Sequence, residues 1–112
     1  LMLSLTRGIN FCNVRLQQRR GDWSYMQVSP LVRLRGRVFG VVGLGCIGTA
    51  AAVRAKALGM DVAFYDPYAA DGLDRANVFG RVMTMDEMCR QAFVLSCHCP
   101  LTDETRHLSH AR

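Results

Sequence analysis

The sequence contains no run approaching 18 uninterrupted apolar residues, so no stretch has the length that a membrane-spanning helix requires. Its apolar start, Leu1 to Leu5, is too short for the core of a secretory signal and has no basic segment before it. Lysine is nearly absent: 13 of the 14 basic residues are arginine, and the formal net charge is +5. That balance suits an anionic partner of some kind, whether nucleic acid, cofactor or acidic protein. Aromatics make up only 8% of the chain. The two arginine clusters, at 15, 19 and 20 and at 33, 35 and 37, have none interleaved to stack bases, so solvated basic faces are expected and nucleic acid is not. The five cysteines are an odd number without framework spacing, which excludes a disulfide scaffold and points to a reducing compartment. Cys46, Cys97 and Cys99 lie in apolar or glycine-rich surroundings and are expected to be small buried side chains.

What remains is a half-hydrophobic, 21% charged chain of 112 residues, the size of one domain or part of one. It begins Leu-Met, and is expected to be a piece of a longer protein. Residues 1–20 read as a helix, with Leu1, Leu5, Ile9, Val14 and Leu16 roughly in helical register and Gly21 as its stop. A loop carrying Trp23 and Tyr25 follows over 21–36, with Pro30 opposing any continuous helix. The core occupies 37–112. Arg37 to Val42 is a short β-rich run and Cys46 to Leu58 an alanine-rich helix stopped by Gly59. Asp61 to Tyr65 is a second strand, and 67–80 holds polar and glycine breaks. Thr84 and Glu87 form a capping box for a helix from Met85 to about Gln91. Ala92 to His98 is a third apolar run of strand length, and Thr102 onward starts another helix. Alternating β and α segments, with strands apolar on both faces, predict an α/β, doubly wound Rossmann-type parallel sheet. Right-handed crossovers bring Val38–Val42, Val62–Tyr65 and Val94–Cys97 side by side.

The chemistry concentrates in Gly43-Leu44-Gly45-Cys46-Ile47-Gly48. Three glycines in this spacing are weak evidence alone, but here they follow a strand and open a helix. Asp66 then stands 18 positions after Gly48, at the end of the next strand. Gly43 permits the turn, Gly45 lets a pyrophosphate approach bare backbone, and Gly48 lets the helix press on the strand. The helix N-terminus supplies free N–H groups and partial positive charge. Asp66 accepts hydrogen bonds from the adenosine ribose and repels a 2′-phosphate, which favours NAD over NADP. His98 is tempting as a base, and Cys97-His98-Cys99 as a metal site with Cys89, His107 and His110. Neighbouring strand residues point to opposite faces, which opposes the metal reading, and His98 is expected to be an ordinary strand-end histidine. Trp23, Tyr25, Met83, Met85 and Met88 are expected to pack. On the first core helix, Ile47, Ala51 and Leu58 form a stripe into which Arg54 intrudes.

In order, Arg33 to Gly36, Val41 to Gly48, Arg54 to Met60, Phe64 to Tyr68, His98 to Thr102 and Glu104 to Leu108 resemble the D-isomer-specific 2-hydroxyacid dehydrogenases. The wording is nearest to the C-terminal-binding-protein and phosphoglycerate-dehydrogenase-like branches. The resemblance implies that this segment is the NAD-binding domain with its preceding long helix, that the helix meets its copy in a homodimer, and that the substrate domain lies outside the segment. It places the pyrophosphate on Gly43, Leu44, Gly45, Cys46, Ile47 and Gly48, and the ribose on Asp66. The loop from Cys99 to Thr105, with Cys99, Pro100, Leu101 and Thr105 as its contacts, then borders the adenosine. The family carries Arg or Lys where this chain has Cys46, and its catalytic Arg, Glu and His lie beyond Arg112, so none is expected within the segment. The expected function is hydride transfer between NAD and C2 of a 2-hydroxy or 2-oxo acid in the cytoplasm. The alternative is a nuclear, NAD-responsive corepressor of the C-terminal-binding-protein type.

Overall fold

The computed structural model describes residues 1–18, 26 and 31–108. The expectations placed on Arg19, Arg20, Gly21, Trp23, Tyr25, Pro30 and His110 lie outside the described residues. The chain forms two compact units, Leu1–Leu34 and Arg35–Arg112.

In the first unit the expected single helix is two: α1 (Met2–Thr6) and α2 (Ile9–Gln18). Gly8 divides them. Its φ of 63° is the left-handed conformation that ends helices and that glycine adopts without penalty. Its N–H donates back to the Leu5 carbonyl at 3.2 Å, and its own carbonyl starts α2 by accepting from Cys12 N–H. Leu1, Leu5, Ile9 and Val14 lie on the surface of this unit rather than in a core.

The second unit is a parallel sheet of four strands in the order β3-β2-β1-β4. The strands are β1 (Val38–Val42), β2 (Asp61–Tyr65), β3 (Gly80–Arg81) and β4 (Val94–Cys97). Val38 pairs with Asp61 and Val42 with Tyr65 on one side of β1, while Phe39 pairs with Val94 and Val42 with Cys97 on the other. The helices α3 (Cys46–Ala57), α4 (Leu73–Asn77) and α5 (Met85–Gln91) connect them. Strand β3 and helix α4 were not legible in the broken 67–80 stretch. A two-residue strand has no alternation to detect, and a five-residue helix has too few turns to show a period. Over residues 103–108 the expected helix is instead a series of turns.

Because side chains alternate along a strand, the two faces of β1 do different things. Gly40 faces α5: a methyl group there would stand 2.6 Å from the Met88 sulfur and 3.0 Å from the Ala92 methyl. The bare backbone therefore allows α5 to lie close, with Met88 fully buried against Ala63 and Val82. Met85 joins that cluster, but Met83 is exposed, because it precedes the helix. On the opposite face, α3 buries Gly48, Ala52 and Ala55. The buried stripe is thus one position away from the expected one. Ile47 and Leu58 are exposed, and Arg54 lies outside with its guanidinium donating to the Ala50 carbonyl at 2.8 Å. Helix α3 ends as read, at Gly59 (φ 81°). Gly59 N–H donates to Lys56 and Met60 N–H to Ala55, the paired bonds of a Schellman cap. Thr84 caps α5 by accepting from Glu87 N–H at 3.2 Å.

Candidate functional site at the carboxyl ends of the strands

The chain runs β1, β2, β3 outward to one side, then returns through α5 to place β4 on the other side of β1. Between β1 and β4 the direction of winding reverses, and a crevice opens where successive connections leave in opposite directions. A cleft of about 730 Å³ lies there. The ends of β1 and β2 contribute Val42, Gly43, Gly45, Tyr65, Asp66, Pro67 and Tyr68. The end of β4 and the turns after it contribute His98, Cys99, Pro100, Thr102, Asp103, Glu104, Thr105 and Leu108.

The three glycines at 43, 45 and 48 have separate physical roles. Gly43 has φ 88°, and a methyl group on it would come within 2.9 Å of Cys99 N. It is needed for the turn and for the approach of the loop after β4. At Gly48 a methyl group would overlap the Gly43 carbonyl oxygen, so this glycine sets the distance between α3 and β1. Gly45 is different: beyond its chain neighbours no described atom lies within 4 Å of where its Cβ would be, and its φ of −78° and ψ of −165° suit any residue. Nothing in the fold requires a glycine at 45. It leaves an open patch of backbone at the N-terminus of a 12-residue helix, where the first N–H groups have no partner within the helix.

Asp66 binds the loop from the side. One carboxylate oxygen accepts from Leu44 N–H at 2.8 Å and the other from Tyr68 N–H at 2.9 Å. An ionised carboxylate offers about four acceptor positions, so roughly half remain for hydroxyl groups entering the cleft. The arrangement fits a dinucleotide: an open anion cradle at a helix start, and a carboxylate acceptor beside it.

Among the residues singled out from the sequence, Gly43, Gly45, Asp66, Cys99, Pro100 and Thr105 line the cleft. Leu44 is buried and contributes its N–H to Asp66. Gly48 is buried behind the turn, Cys46 and Ile47 are exposed in the first turn of α3, and Leu101 is exposed outside the lining. Thr105 locks the loop, its hydroxyl donating to the Pro100 carbonyl at 2.6 Å and accepting from Thr102 N–H at 2.7 Å. Tyr68 and Leu108 also line the cleft and were not singled out as contacts. His98 does too, its Nε2 2.9 Å from the Ser96 hydroxyl.

The cysteines depart from expectation. Cys46 and Cys97 are exposed and Cys99 half-buried. Cys46 opens α3 at the cradle, and Cys97 lies on β4, which pairs with β1 on one side and with no other described strand, its exposed residues Leu95 and Cys97 sharing one face. The Cys97 thiol is still held above the ordinary thiol range by local desolvation, with Cys99 and Cys89 adding to the effect. Among the described residues no group of three His, Cys, Asp or Glu side chains could hold a metal ion, and no helix is long and apolar enough to cross a membrane.

The family model for the D-isomer specific 2-hydroxyacid dehydrogenase, NAD binding domain, matches residues 1–112. The chain belongs to this family. It is an NAD-binding domain of D-2-hydroxyacid dehydrogenases, and NAD is its cofactor. Curated relatives include C-terminal-binding protein 1 of Caenorhabditis elegans, 46% identical over 79 residues, covering 70% of this chain and 11% of that protein. D-3-phosphoglycerate dehydrogenase of Methanocaldococcus jannaschii is 36% identical over 108 residues, covering 96% of this chain and 20% of that protein. The apo-structure of D-lactate dehydrogenase from Escherichia coli superimposes with a TM-score of 0.81 at 29% identity, covering 96% of this chain and 32% of that one. The chain therefore spans between a tenth and a third of the length of these three relatives.

Proposed function

We propose that the full-length protein passes a hydride between NAD and C2 of a small 2-hydroxy or 2-oxo acid. NAD supplies the hydride chemistry, and the residues of this chain bind and orient the cofactor. Gly43, Leu44, Gly45, Cys46, Ile47 and Gly48 form the pyrophosphate cradle, Asp66 accepts from the ribose hydroxyls, and Cys99, Pro100, Leu101 and Thr105 border the adenosine. The observation that carries this reading is the pairing of an unfilled Gly45 with Asp66, whose carboxylate is fixed by two backbone N–H groups and keeps acceptor capacity toward the cleft. With Cys46 in place of a cation, the cradle depends on backbone N–H groups and the helix end, which predicts looser binding than a cationic residue there would give. The catalytic Arg, Glu and His belong to the protein outside this chain, and the working form is a cytoplasmic homodimer.

The test compares NADH and NADPH affinity in the full-length protein and in Asp66→Ala. Strong preference for NADH, lost in the variant, supports the assignment, and equal affinities in the unmutated protein would sink it. The 46% identity to C-terminal-binding protein 1 supports a second reading, an NAD-responsive nuclear corepressor that binds the same cofactor. Turnover of glyoxylate, pyruvate or hydroxypyruvate by the full-length protein separates the two.

A further inference from the structure

A side-chain contact ties the turn after β2 to the turn after β4 across the cleft. The Tyr68 hydroxyl donates to a Glu104 carboxylate oxygen at 2.6 Å, within the short range of charge-assisted O–H···O⁻ bonds. Both residues line the cleft and both are exposed. Tyr68 also donates its backbone N–H to Asp66, so the Asp66 and Glu104 carboxylates are linked through one residue. The carboxylate beside Glu104, Asp103, has Arg106 3.9 Å away. Glu104 is held by a neutral phenol, which positions its charge without cancelling it. Hydrogen bonding to Glu104, followed by its negative charge, raises the pKa of the phenol, so Tyr68 stays a donor throughout the neutral range. The described lining of the cleft includes no lysine or arginine.

We infer that Glu104, positioned by Tyr68, is a second determinant of cofactor choice, placing a fixed negative charge on the adenosine rim that discriminates against a 2′-phosphate. The inference rests on the dinucleotide reading of the cleft proposed above and deepens it. A 2′-phosphate brings about 1.5 to 2 negative charges to that rim. In this partly solvated setting, removing one opposing charge should relax discrimination roughly fivefold.

The experiment measures dissociation constants for NADPH and NADH by fluorescence titration in the full-length protein, at low and high salt, for wild type, Glu104→Gln, Tyr68→Phe and the double variant. The expected result is a fall of roughly fivefold in the ratio of the NADPH constant to the NADH constant in Glu104→Gln, smaller at high salt because the interaction is screened. Tyr68→Phe should give a partial fall, since the charge remains but is no longer held. The double variant should fall no further than Glu104→Gln, as expected if Tyr68 acts only through Glu104. An unchanged ratio in Glu104→Gln, or equal loss of both cofactors, overturns the inference. Should Glu104→Gln fail to fold, an unchanged ratio in Tyr68→Phe does so too. Failure of the wild type to bind NADH at all would instead overturn the underlying reading of the cleft.

Discussion

Replacing Gly45 by valine separates binding from folding at the glycine motif. The backbone at 45 already has angles that an L-residue adopts freely, and a Cβ added there meets no described atom within 4 Å beyond its chain neighbours. An apolar residue is a poorer N-cap than glycine by about 0.5–1 kcal/mol. Against that, losing glycine's freedom in the unfolded chain returns about 0.4–1 kcal/mol. The two nearly cancel, so stability should change by less than about 0.5 kcal/mol and Tm by only a few degrees. Binding should respond very differently. A phosphate oxygen must come within about 2.7–3.2 Å of the backbone N–H groups, and the valine methyls occupy that approach. Losing two hydrogen bonds to a charged group, at about 1.5–3 kcal/mol each, removes about 3–6 kcal/mol, or two to four decades of affinity. Circular dichroism melting and NADH fluorescence titration measure the two effects. Gly48→Ala is the contrasting control: its methyl would overlap the Gly43 carbonyl, so it should lose stability by about 1–3 kcal/mol. Retention of NADH affinity within threefold of wild type in Gly45→Val would refute the claim that this backbone meets the pyrophosphate. A melting loss as large as that of Gly48→Ala would refute the claim that position 45 is structurally free.

Gly40→Val should destabilise the domain by at least about 1–3 kcal/mol, because its side chain would collide with Met88, Ala92 and Leu95 beneath α5; a denaturant midpoint unchanged from wild type would contradict this packing. Val78, a β-branched residue at φ 55°, holds a conformation costing about 1–2 kcal/mol, so Val78→Gly should raise stability by up to about 1 kcal/mol after glycine's greater unfolded-state entropy is deducted; a lower Tm would show that the backbone is not strained there. The raised pKa of the Cys97 thiol keeps it protonated through neutral pH. Its alkylation by iodoacetamide, followed by peptide mass spectrometry, should therefore accelerate only above the ordinary thiol range of about 8.5, and a rate already at its plateau at pH 8 would contradict that.

The parts of the fold that the sequence announced are those with a repeated signal. The strands at 38–42, 61–65 and 94–97 show as apolar runs, α3 as an alanine-rich segment with a glycine stop, and Thr84 as a cap three residues before Glu87. What it concealed falls into two kinds. Short elements such as α4 and β3 lack the length to show a period. Burial was misjudged wherever it depended on a neighbour far along the chain. Cys97 is apolar in context but lies on the outermost of the described strands, and Ile47 is apolar but stands at the open end of α3. The neighbours of Gly8 keep a helical periodicity that hides the break, whereas its positive φ ends the first helix there. The placement of Gly43, Gly45 and Asp66 at the cleft, with Gly48 behind the turn, follows from a spacing set by a local strand–turn–helix geometry. Tyr68 and Glu104 meet across 36 residues of sequence, a pairing that no local pattern encodes.

The structural side of the cleft is built mainly from backbone. Gly43 N–H donates to the Tyr65 carbonyl at 3.0 Å, and His98 N–H to the Val42 carbonyl at 2.7 Å. These bonds tie the ends of β1, β2 and β4 together before any side chain is considered. Leu44 adds a backbone donor to Asp66, whose side chain spans from the end of β2 to the glycine turn. Such a construction constrains residues by what they must not have. Gly43 and Gly48 have no room for a side chain, while Cys46 stands exposed in the first turn of α3. The same logic separates the two carboxylates. Asp66 both holds the loop and faces the cleft, so its loss should affect geometry and cofactor choice together. Among the described residues Glu104 is held by an exposed phenol, so its charge can be altered while the backbone frame that forms the cleft stays in place.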